Sequence, residues 1–402
     1  MPKTIPMNIG IVVDNEFNND PRVRREVKIL VEQGYILNIL CFDFNKKYPD
    51  VSGANIHRIK INRTIKNLLF LLFNRIPIYE QLWAKWIKQF IIKNNIDILH
   101  AHDLYLSKAA NRGIRYSRKN VKLILDLHEN YPYAIQEYNW TKGFIRNFIT
   151  SPKAWLKKER EYLTYPDKII VLSDEYKNTL LKKYNFLENS NIISFPNVID
   201  IREFESYKID KTKKRDSSIK LMYFGAVAER RGIFDTFEVF KKAIQIEPNL
   251  KLLIIGPVDK SDKKKFNRYL SEKQIRNRVE HIKWIRVEEL PTYMYLSDIL
   301  LSPLKKNPQH ESGIANKIFQ YLYGGKPLIV SDCAPQKNLV LNFNCGLVYS
   351  TPQEYLDCIL KLAKNKELRN KLGKNGYENL YKHFDNTKIS SKLVSIYKSL
   401  TS

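Results

Sequence analysis

Short apolar runs alternate with amphipathic segments of helical length along the chain. The first run, at residues 7–13, predicts a buried parallel strand, and the polar loop DNEFNNDP and the segment RVRREVKILVEQG follow it. Asp20 and Pro21 suit the cap and first turn of a helix, and Gly34 suits its end. A strand, a loop and a capped helix in this order form one repeat of a doubly wound sheet, so an α/β fold is predicted.

The same alternation continues through both halves of the chain. Further strands are predicted at 35–41, 56–61, 96–102, 122–128, 167–173, 220–225, 252–256, 282–285, 328–330 and 347–349. A length of 402 residues exceeds what one hydrophobic core normally serves, so two domains are expected. The predicted division is an N-terminal Rossmann-like domain at 1–205, a charged linker at 206–218, a C-terminal Rossmann-like domain at 219–385, and a last helix at 386–402 that packs back on the first domain.

The amino-acid composition restricts the classes of molecule that the protein can bind. The formal net charge of +26 requires an anionic partner, which can be nucleic acid, an anionic membrane surface or phosphorylated small molecules. The basic residues are spread over both halves, so no nucleic-acid module is indicated. The four cysteines lack zinc-ligand spacing, and the loop after the first strand lacks G-x-G-x-x-G, which disfavours a dinucleotide cofactor.

The segment around the first strand bears on location. MPKTIPMNIGIVV lacks the basic start and the small-residue cleavage site of a signal peptide. The longest apolar runs, such as 68–73, are too short to cross a bilayer. We therefore expect a cytoplasmic protein.

Two segments of the first domain mix aromatic and basic side chains. Residues 63–93 carry Trp83 and Trp86, and residues 131–163 carry Trp140, Phe144, Phe148 and Trp155 among Lys142 and other basic residues. Such helices can lie in a membrane interface, or their apolar stripe can simply be core, and for the first segment the two readings are equally favoured. Taken together, the segments lead to the hypothesis that the first domain docks on anionic lipid.

Two places in the second domain predict an anion site. Residues 310–331 read HESGIANKIFQYLYGGKPLIVS, a polar turn followed by a helix that carries Lys317 in its first turns. Arg230 and Arg231 precede Gly232 after an earlier strand, and a guanidinium can bind a diphosphate in a bidentate manner. Backbone N–H groups at a helix start add to the attraction for phosphate.

The segment NKIFQYLYGGKPLIVSD resembles the nucleotide-sugar-binding segment of retaining glycosyltransferases of family 4. The sequence of that segment in the family is close to P-N-K-x-F-E-Y-x-x-x-G-x-P-V-I. The matching positions are Asn316, Lys317, Phe319, Tyr321, Gly325 and Pro327. Two positions differ, because the family's second glutamate falls on Gln320 and its first falls on Ser312, with Glu311 one residue earlier. The runs DILHAHD and DLHE, and Arg231 before Gly232, also resemble the family.

The resemblance implies two doubly wound Rossmann-like domains facing across a cleft, the GT-B architecture. It implies transfer of a sugar, with retention of configuration, from a UDP- or GDP-linked donor to a hydroxyl of a glycan or lipid-linked acceptor, without a metal or another cofactor. The site residues that it implies are, as catalytic, His128, Arg231, Lys317 and Glu311; as donor-binding, Arg230, Gly313, Ile314 and Gln320; and as acceptor or cleft candidates, Arg22, Arg24, His102, Asp103 and Glu129.

Other functions remain open on the residues alone. A different nucleotide-sugar enzyme, such as a 2-epimerase, would use the same architecture. A non-catalytic, membrane-associated scaffold would also fit, because the family's carboxylate pair is incomplete. The richness in Lys, Asn and Ile suggests bacterial surface polysaccharide synthesis, with the protein held peripherally at the inner face of the cell membrane. A nucleic-acid partner is not expected.

Overall fold

The computed structural model describes residues 7–44, 52–138, 141 and 143–400. The chain divides into two compact units. The first unit runs to Pro196 and resumes at Ile389, and the second unit is Asn197–Lys388. Residues 197–205, which the sequence placed in the first domain, therefore belong to the second unit.

The sheet of the first unit has seven parallel strands within the described residues, in the order β3-β2-β1-β4-β5-β6-β7. Its strands are β1 Asn8–Val12, β2 Ile36–Asp43, β3 Ala54–Lys60, β4 Ile98–His102, β5 Lys122–Asp126, β6 Lys168–Val171 and β7 Ile192–Ser194. Its helices are α1 Pro21–Glu32, α2 Arg63–Leu71, α3 Ile78–Asn94, α4 Ser107–Ser117, α5 Tyr131–Glu137, α6 Phe144–Thr150, α7 Ala154–Tyr162 and α8 Asp174–Lys183.

The sheet of the second unit has six parallel strands in the described residues, in the order β10-β9-β8-β11-β12-β13. Its strands are β8 Ile219–Phe224, β9 Leu250–Ile255, β10 Val279–Ile282, β11 Ile299–Ser302, β12 Leu328–Ser331 and β13 Gly346–Tyr349. Its helices are α9 Ile201–Glu205, α10 Ile233–Ile246, α11 Lys263–Ser271, α12 Leu290–Tyr295, α13 Asn316–Tyr323, α14 Ala334–Phe343, α15 Pro352–Lys364 and α16 Lys366–Phe384.

The last helix, α17 Asn386–Lys398, begins in the second unit and continues into the first. Tyr397 is fully buried there, and its hydroxyl lies 2.7 Å from Nδ1 of His100 on β4. The end of the chain thus packs beside the central strands of the first sheet.

Local sequence signals predicted the two ends of α1 correctly. The Asp20 carboxylate accepts a hydrogen bond from the Val23 amide at 3.1 Å, Pro21 occupies the first turn of α1, and Gly34 has a φ of +80° beyond its end. One strand is shorter than predicted, because β5 ends at Asp126 and not at His128. His128 therefore lies in the turn that follows the strand. Both sheets have the doubly wound α/β arrangement that the sequence predicted.

The aromatic-rich segments contribute to the core of the first unit and to its surface. Trp83 and Trp155 are fully buried in that core, which answers the question left open for residues 63–93 in favour of core packing at Trp83. Phe144 on α6 is 91% exposed, and Phe148 is exposed as well. Trp140 and Lys142 lie outside the described residues. Among the described residues, every helix is too short or too polar to cross a bilayer.

Gly232 is required at the start of α10. Its φ is +74°, and a Cβ atom there would lie 1.6 Å from the Pro303 carbonyl oxygen. Gly325 also has a positive φ, +60°, but a Cβ atom there would meet only Tyr377 Cβ, at 4.0 Å. A side chain at position 232 would both clash with Pro303 and require a strained backbone. A side chain at position 325 would only require the strained backbone.

We expect Gly232→Ala to lower the free energy of unfolding on the order of 4 kcal/mol, the size of the most damaging single substitutions. Gly325→Ala, the matched control, should cost only about 1 kcal/mol, the strain of a left-handed alanine. Urea midpoints of the two variants measure the difference. Equal losses would contradict the role assigned to the Pro303 contact.

Candidate functional site

The second sheet changes winding direction between β8 and β11, which are hydrogen-bonded neighbours although β9 follows β8 in the chain. Ligands of doubly wound sheets bind outside the carboxyl ends of the strands at such a point. The turn that leaves β8 leads to α10, and the segment that leaves β11 leads to α13. These two connections carry the predicted anion-binding residues.

The turn after β8 carries two arginines, and only one of them forms an ion pair with a nearby acid. Arg231 is half-buried, and its Nε has no hydrogen-bond partner among the described residues. Arg230 instead forms an ion pair with Asp259, with Nη1 and Oδ2 2.7 Å apart. Gly232 caps α10 without a side-chain acceptor, so the first amides of that helix are not capped by a side chain. Arg231 and these amides are thus available to an anion.

Lys317 lies in the first turn of α13. It is only 6% exposed, and its Nζ has no hydrogen-bond partner in the described part of the chain. The Nζ lies 4.0 Å from the centroid of the Tyr223 ring on β8. Burial, and secondly the charge of Arg231, lower the pKa of Lys317 well below its usual value. Arg231 therefore disfavours the charged form of Lys317, and a bound anion would favour it.

A neutral histidine completes the second unit's cluster. Burial lowers the pKa of His310 to about 4, and the charges of Arg231, Arg230 and Lys317 act in the same direction against a hydrogen bond to Lys305. His310 Nδ1 lies 2.7 Å from the Lys305 carbonyl oxygen. The start of α13 has no side-chain cap either. Two cations and two uncapped helix starts are an arrangement that suits a diphosphate.

The residues at and beside the two positions that differ from the family pattern have different surroundings. Glu311 accepts a hydrogen bond from the Ala334 amide at 3.3 Å, at the start of α14. Ser312, in the place of the family's first glutamate, is buried, and its Oγ donates to the Pro308 carbonyl at 2.6 Å. Gln320 is half-buried on α13, one turn after Lys317. Gly313 and Ile314 are half-buried in the loop before α13.

The first sheet changes winding direction between β1 and β4. His102 ends β4, and Asp103, His128 and Glu129 follow β4 or β5 closely. His128 keeps 19% of its side chain exposed, and its Nε2 lies 2.8 Å from Nδ1 of buried His102. These residues therefore lie at one edge of the sheet within this unit.

Charges around the edge shift its titrating groups. Burial alone would lower the pKa of His128, but the carboxylates of Asp103, Asp126 and Asp20 outweigh it and raise the pKa. Burial raises the pKa of Glu129 to about 7, although the Tyr138 hydroxyl donates to its carboxylate at 2.6 Å. Burial also raises the pKa of Asp103, whose backbone has an unusual φ of +75°. Glu129 can therefore hold a proton near neutral pH.

Arg22 and Arg24 lie on opposite sides of α1. Arg24 is exposed, as expected for a solvated side chain. Arg22 is only 3% exposed and is therefore not a solvated side chain. Its guanidinium donates to both Asp126 oxygens at 2.8 and 3.0 Å and to the Phe195 carbonyl at 3.0 Å. Arg22 thus ties α1 to β5, and its guanidinium is engaged by Asp126 and the Phe195 carbonyl inside the unit.

Sequence reasoning missed several buried acids of the first unit, among them Glu26, Asp126 and Asp14. Glu26 and Asp126 surround Arg22, and Asp14 pairs with Lys66 at 3.1 Å and accepts from the Tyr79 hydroxyl. The signal for Glu26 was its position four residues after Arg22, inside the apolar stripe of α1. The signal for Asp126 was its place at the end of the apolar run LILDL.

Two family profiles match the chain, one after the other. The profile described as Glycosyltransferase Family 4 matches residues 22–203, and the profile described as Glycosyl transferases group 1 matches residues 205–379. A relative from Staphylococcus aureus, the capsular polysaccharide biosynthesis glycosyltransferase CapM, is 23% identical over 241 residues, which are 58% of this chain and 61% of that protein.

Solved structures share the fold at low identity. Sucrose-phosphate synthase from Thermosynechococcus elongatus superposes with a TM-score of 0.77 at 15% identity and covers 98% of this chain and 99% of that chain. HepE from Anabaena, in complex with UDP-glucose, gives a TM-score of 0.70 at 13% identity over 98% of this chain and 100% of that chain. These neighbours have the Rossmann-like GT-B fold, which confirms the predicted fold class.

We expect Lys317→Met to stabilise the free protein, raising the free energy of unfolding by roughly 1 kcal/mol or more, because it removes a buried cation that has no acceptor. The folded pKa of Lys317 lies below its unfolded value. The penalty is thus fully present below the folded pKa and disappears as pH rises towards the unfolded pKa. Denaturation of both proteins across neutral and alkaline pH measures this.

The matched control is Lys264→Met, since Lys264 is exposed on α11 of the same unit. It should leave the free energy of unfolding within about 0.5 kcal/mol. A Lys317→Met protein less stable than the wild type would show that the ammonium has a favourable partner in the free state.

Proposed function

The chain belongs to the group 1 and family 4 glycosyltransferases, and from this premise we propose that it transfers a sugar, with retention of configuration, from a nucleoside diphosphate sugar to a hydroxyl of a glycan or lipid-linked acceptor. The observation that carries the proposal is the buried, unpartnered ammonium of Lys317 beside Arg231 within the described residues. Cations held ready for an anion fit a donor whose leaving group is a diphosphate.

Lys317 and Arg231 would act on the diphosphate, which is the leaving group of the reaction. When the bond between the sugar and the diphosphate breaks, negative charge grows on the diphosphate and positive charge grows on the sugar. Lys317, Arg231 and the amides at the start of α13 would stabilise the diphosphate in place, before the charge develops. Because two fixed cations already do this, we propose that transfer needs no metal ion, so activity should survive removal of divalent ions by a chelator.

The remaining donor contacts are proposed from the same loop and helix. Gln320 would hold ribose hydroxyls, since its amide can both donate and accept. Glu311 would reach sugar hydroxyls with the lone pairs that its bond to the Ala334 amide leaves over. From the first unit, His128 would contact the transferred sugar. HepE was solved with UDP-glucose, so UDP-sugars are the first donors to test.

The acceptor is proposed from the relatives and from the surface of the first unit. The Staphylococcus aureus relative is named for capsular polysaccharide biosynthesis, which supports a role in bacterial surface polysaccharide synthesis. Ile65 and Leu68 on α2 are exposed, as are Phe144 and Phe148 on α6. Arg75, in the turn that follows α2, has its guanidinium carbon 4.2 Å from the centroid of the Phe148 ring on α6. These side chains make up the proposed apolar and basic patch. We propose that this patch rests on the inner face of the cell membrane.

For catalysis, we expect Lys317→Ala and Arg231→Ala each to lower kcat on the order of 10²-fold, the usual effect of removing one charge-stabilising donor. Thermal shift with a panel of UDP- and GDP-sugars would identify the donor, and sugar transfer from it would be measured. The matched controls are Lys264→Ala and Arg276→Ala, both exposed in the same unit. Rates near that of the wild type in both site variants would refute the leaving-group role.

For membrane association, we expect the double variant Phe144→Ser with Phe148→Ser to lose most of its flotation with vesicles that contain an anionic lipid, because both rings would leave the interface. Tyr116→Ser, at another exposed aromatic ring of the first unit, should float like the wild type. Equal recovery of the wild type with neutral and anionic vesicles would contradict an anionic surface as the partner.

A further inference from the structure

A buried polar cluster lies directly behind His128 in the first unit. Arg22 and Glu26 come from α1, His100 and His102 from β4, and Asp126 from β5, and each is 3% exposed or less. Arg22 donates to both Asp126 oxygens, so that this carboxylate is neutralised. The other members hold atoms that the described residues do not satisfy.

Three side chains, Glu26, His102 and His128, form a line from the interior to the edge of the sheet. The Nε2 of His128 lies 2.8 Å from the Nδ1 of His102, and the Nε2 of His102 lies 3.9 Å from Oε2 of Glu26. Glu26 contacts the Arg22 guanidinium, with Oε1 and Nε 3.2 Å apart. Within the described residues, neither Glu26 oxygen nor His102 Nε2 has a hydrogen bond. The line ends in the part-exposed ring of His128.

Hydrogen-bond chemistry restricts where the protons of this line can lie. A nitrogen–nitrogen distance of 2.8 Å needs one proton between His102 and His128. If His102 carries it on Nδ1, a neutral His102 has a bare Nε2, whose lone pair faces Glu26 Oε2 across 3.9 Å and therefore favours a protonated, uncharged Glu26. If His128 carries it on Nε2, a neutral His102 has its proton on Nε2, where the charge of an ionised Glu26 attracts it across 3.9 Å. The state of Glu26 and the tautomer of His128 are thus coupled.

We propose that Glu26 and His102 are positioning residues that set which ring nitrogen of His128 carries a proton. The geometry of the line stands on the first unit alone, whereas its consequence for sugar transfer rests on the proposed function, in which His128 contacts the sugar. The proton count balances. When Glu26 gives its proton to His102 Nε2, the Nδ1 proton of His102 passes to His128 Nε2, and the Nδ1 proton of neutral His128 leaves to solvent.

The charges that face Glu26 place this exchange near neutral pH. Burial, as the largest effect, raises the pKa of Glu26 to about 8, and the Asp126 carboxylate adds to the increase against the lowering charges of Arg22, His128 and Arg25. Below that pKa, Nδ1 of His128, which lies 3.9 Å from Asp20 Oδ2, carries a proton, and the carboxylates that raise the pKa of His128 favour this protonated Nδ1. Above it, Nδ1 becomes an acceptor.

Two further groups face the cluster without entering the line. His100 stacks on His102 with ring centroids 4.3 Å apart, and its Nδ1 contacts the Tyr397 hydroxyl of α17 at 2.7 Å. Burial lowers the pKa of His100 to about 4, so this ring stays neutral where Glu26 titrates. A proton added near pH 8 therefore does not go to His100.

A bound metal ion is the competing account of the same atoms. One ligand atom each from Glu26, His100, His102 and Asp126 lie within 4.8 Å of one another. Both Asp126 oxygens, however, already accept from the Arg22 guanidinium, and an added cation would have to displace that charge. The contacts therefore favour a shared proton over a metal ion.

The test is nitrogen NMR of the full chain with ¹⁵N-labelled histidine, followed across the pH range around 8. In the wild type we expect the Nδ1 and Nε2 signals of His128 to exchange tautomer together with those of His102. Glu26→Gln should abolish the change, because an amide does not ionise and therefore places no charge beside His102 Nε2 at any pH. The matched control is Glu32→Gln, exposed on the same helix, which should behave like the wild type.

The outcomes separate the two proposals. Independent titration of His102 and His128 in the wild type, which needs no variant to fold, would overturn the line, as would an unchanged His128 tautomer shift in Glu26→Gln. A stoichiometric metal ion found by elemental analysis of the purified protein would overturn it as well. If the coupled shift is present and sugar transfer is absent with every donor, the line stands and the proposed function fails. If both hold, Glu26→Gln should remove the alkaline limb of the kcat profile.

Discussion

An ammonium group buried without an acceptor is the constraint around which the second unit is built. Lys317 loses its hydration on folding and gains, within the described residues, mainly the face of the Tyr223 ring. Such a group is costly, and it persists only where the surrounding structure holds it in place. The N-terminal turns of α10 and α13 add further positive potential at the same sheet edge. The second unit is therefore organised to receive negative charge.

The first unit handles buried charge in the opposite way. Arg22 is neutralised inside the protein by Asp126, and His102 and His128 share one proton across 2.8 Å. Removing one partner of such a cluster leaves an uncompensated charge, so its members depend on one another. This interdependence holds His128 at the sheet edge while its ring remains partly exposed.

Both sites lie at the point where their sheet changes winding direction, and the cause is common to them. Parallel strands bring their carboxyl ends to one edge, and helices begin there with unsatisfied amides. The net charge of +26 has little part in this geometry. Surface cations such as Lys251 pair with nearby acids, here with Asp216 at 2.7 Å, and exposed pairs of this kind contribute little to stability.

Features that depend on neighbours along the chain could be predicted from the sequence. Apolar runs located the strands, Asp20 and Gly34 bounded the first helix, and the segment around Lys317 placed this residue at the start of a helix. The inward turn of particular charged side chains could not be predicted, since Arg22 meets an acid 104 positions away and Arg230 is engaged by Asp259. Those pairings exist only in the folded chain, because a buried charge selects its partner by distance in space, and spacing along a helix says nothing about what the neighbouring strand presents.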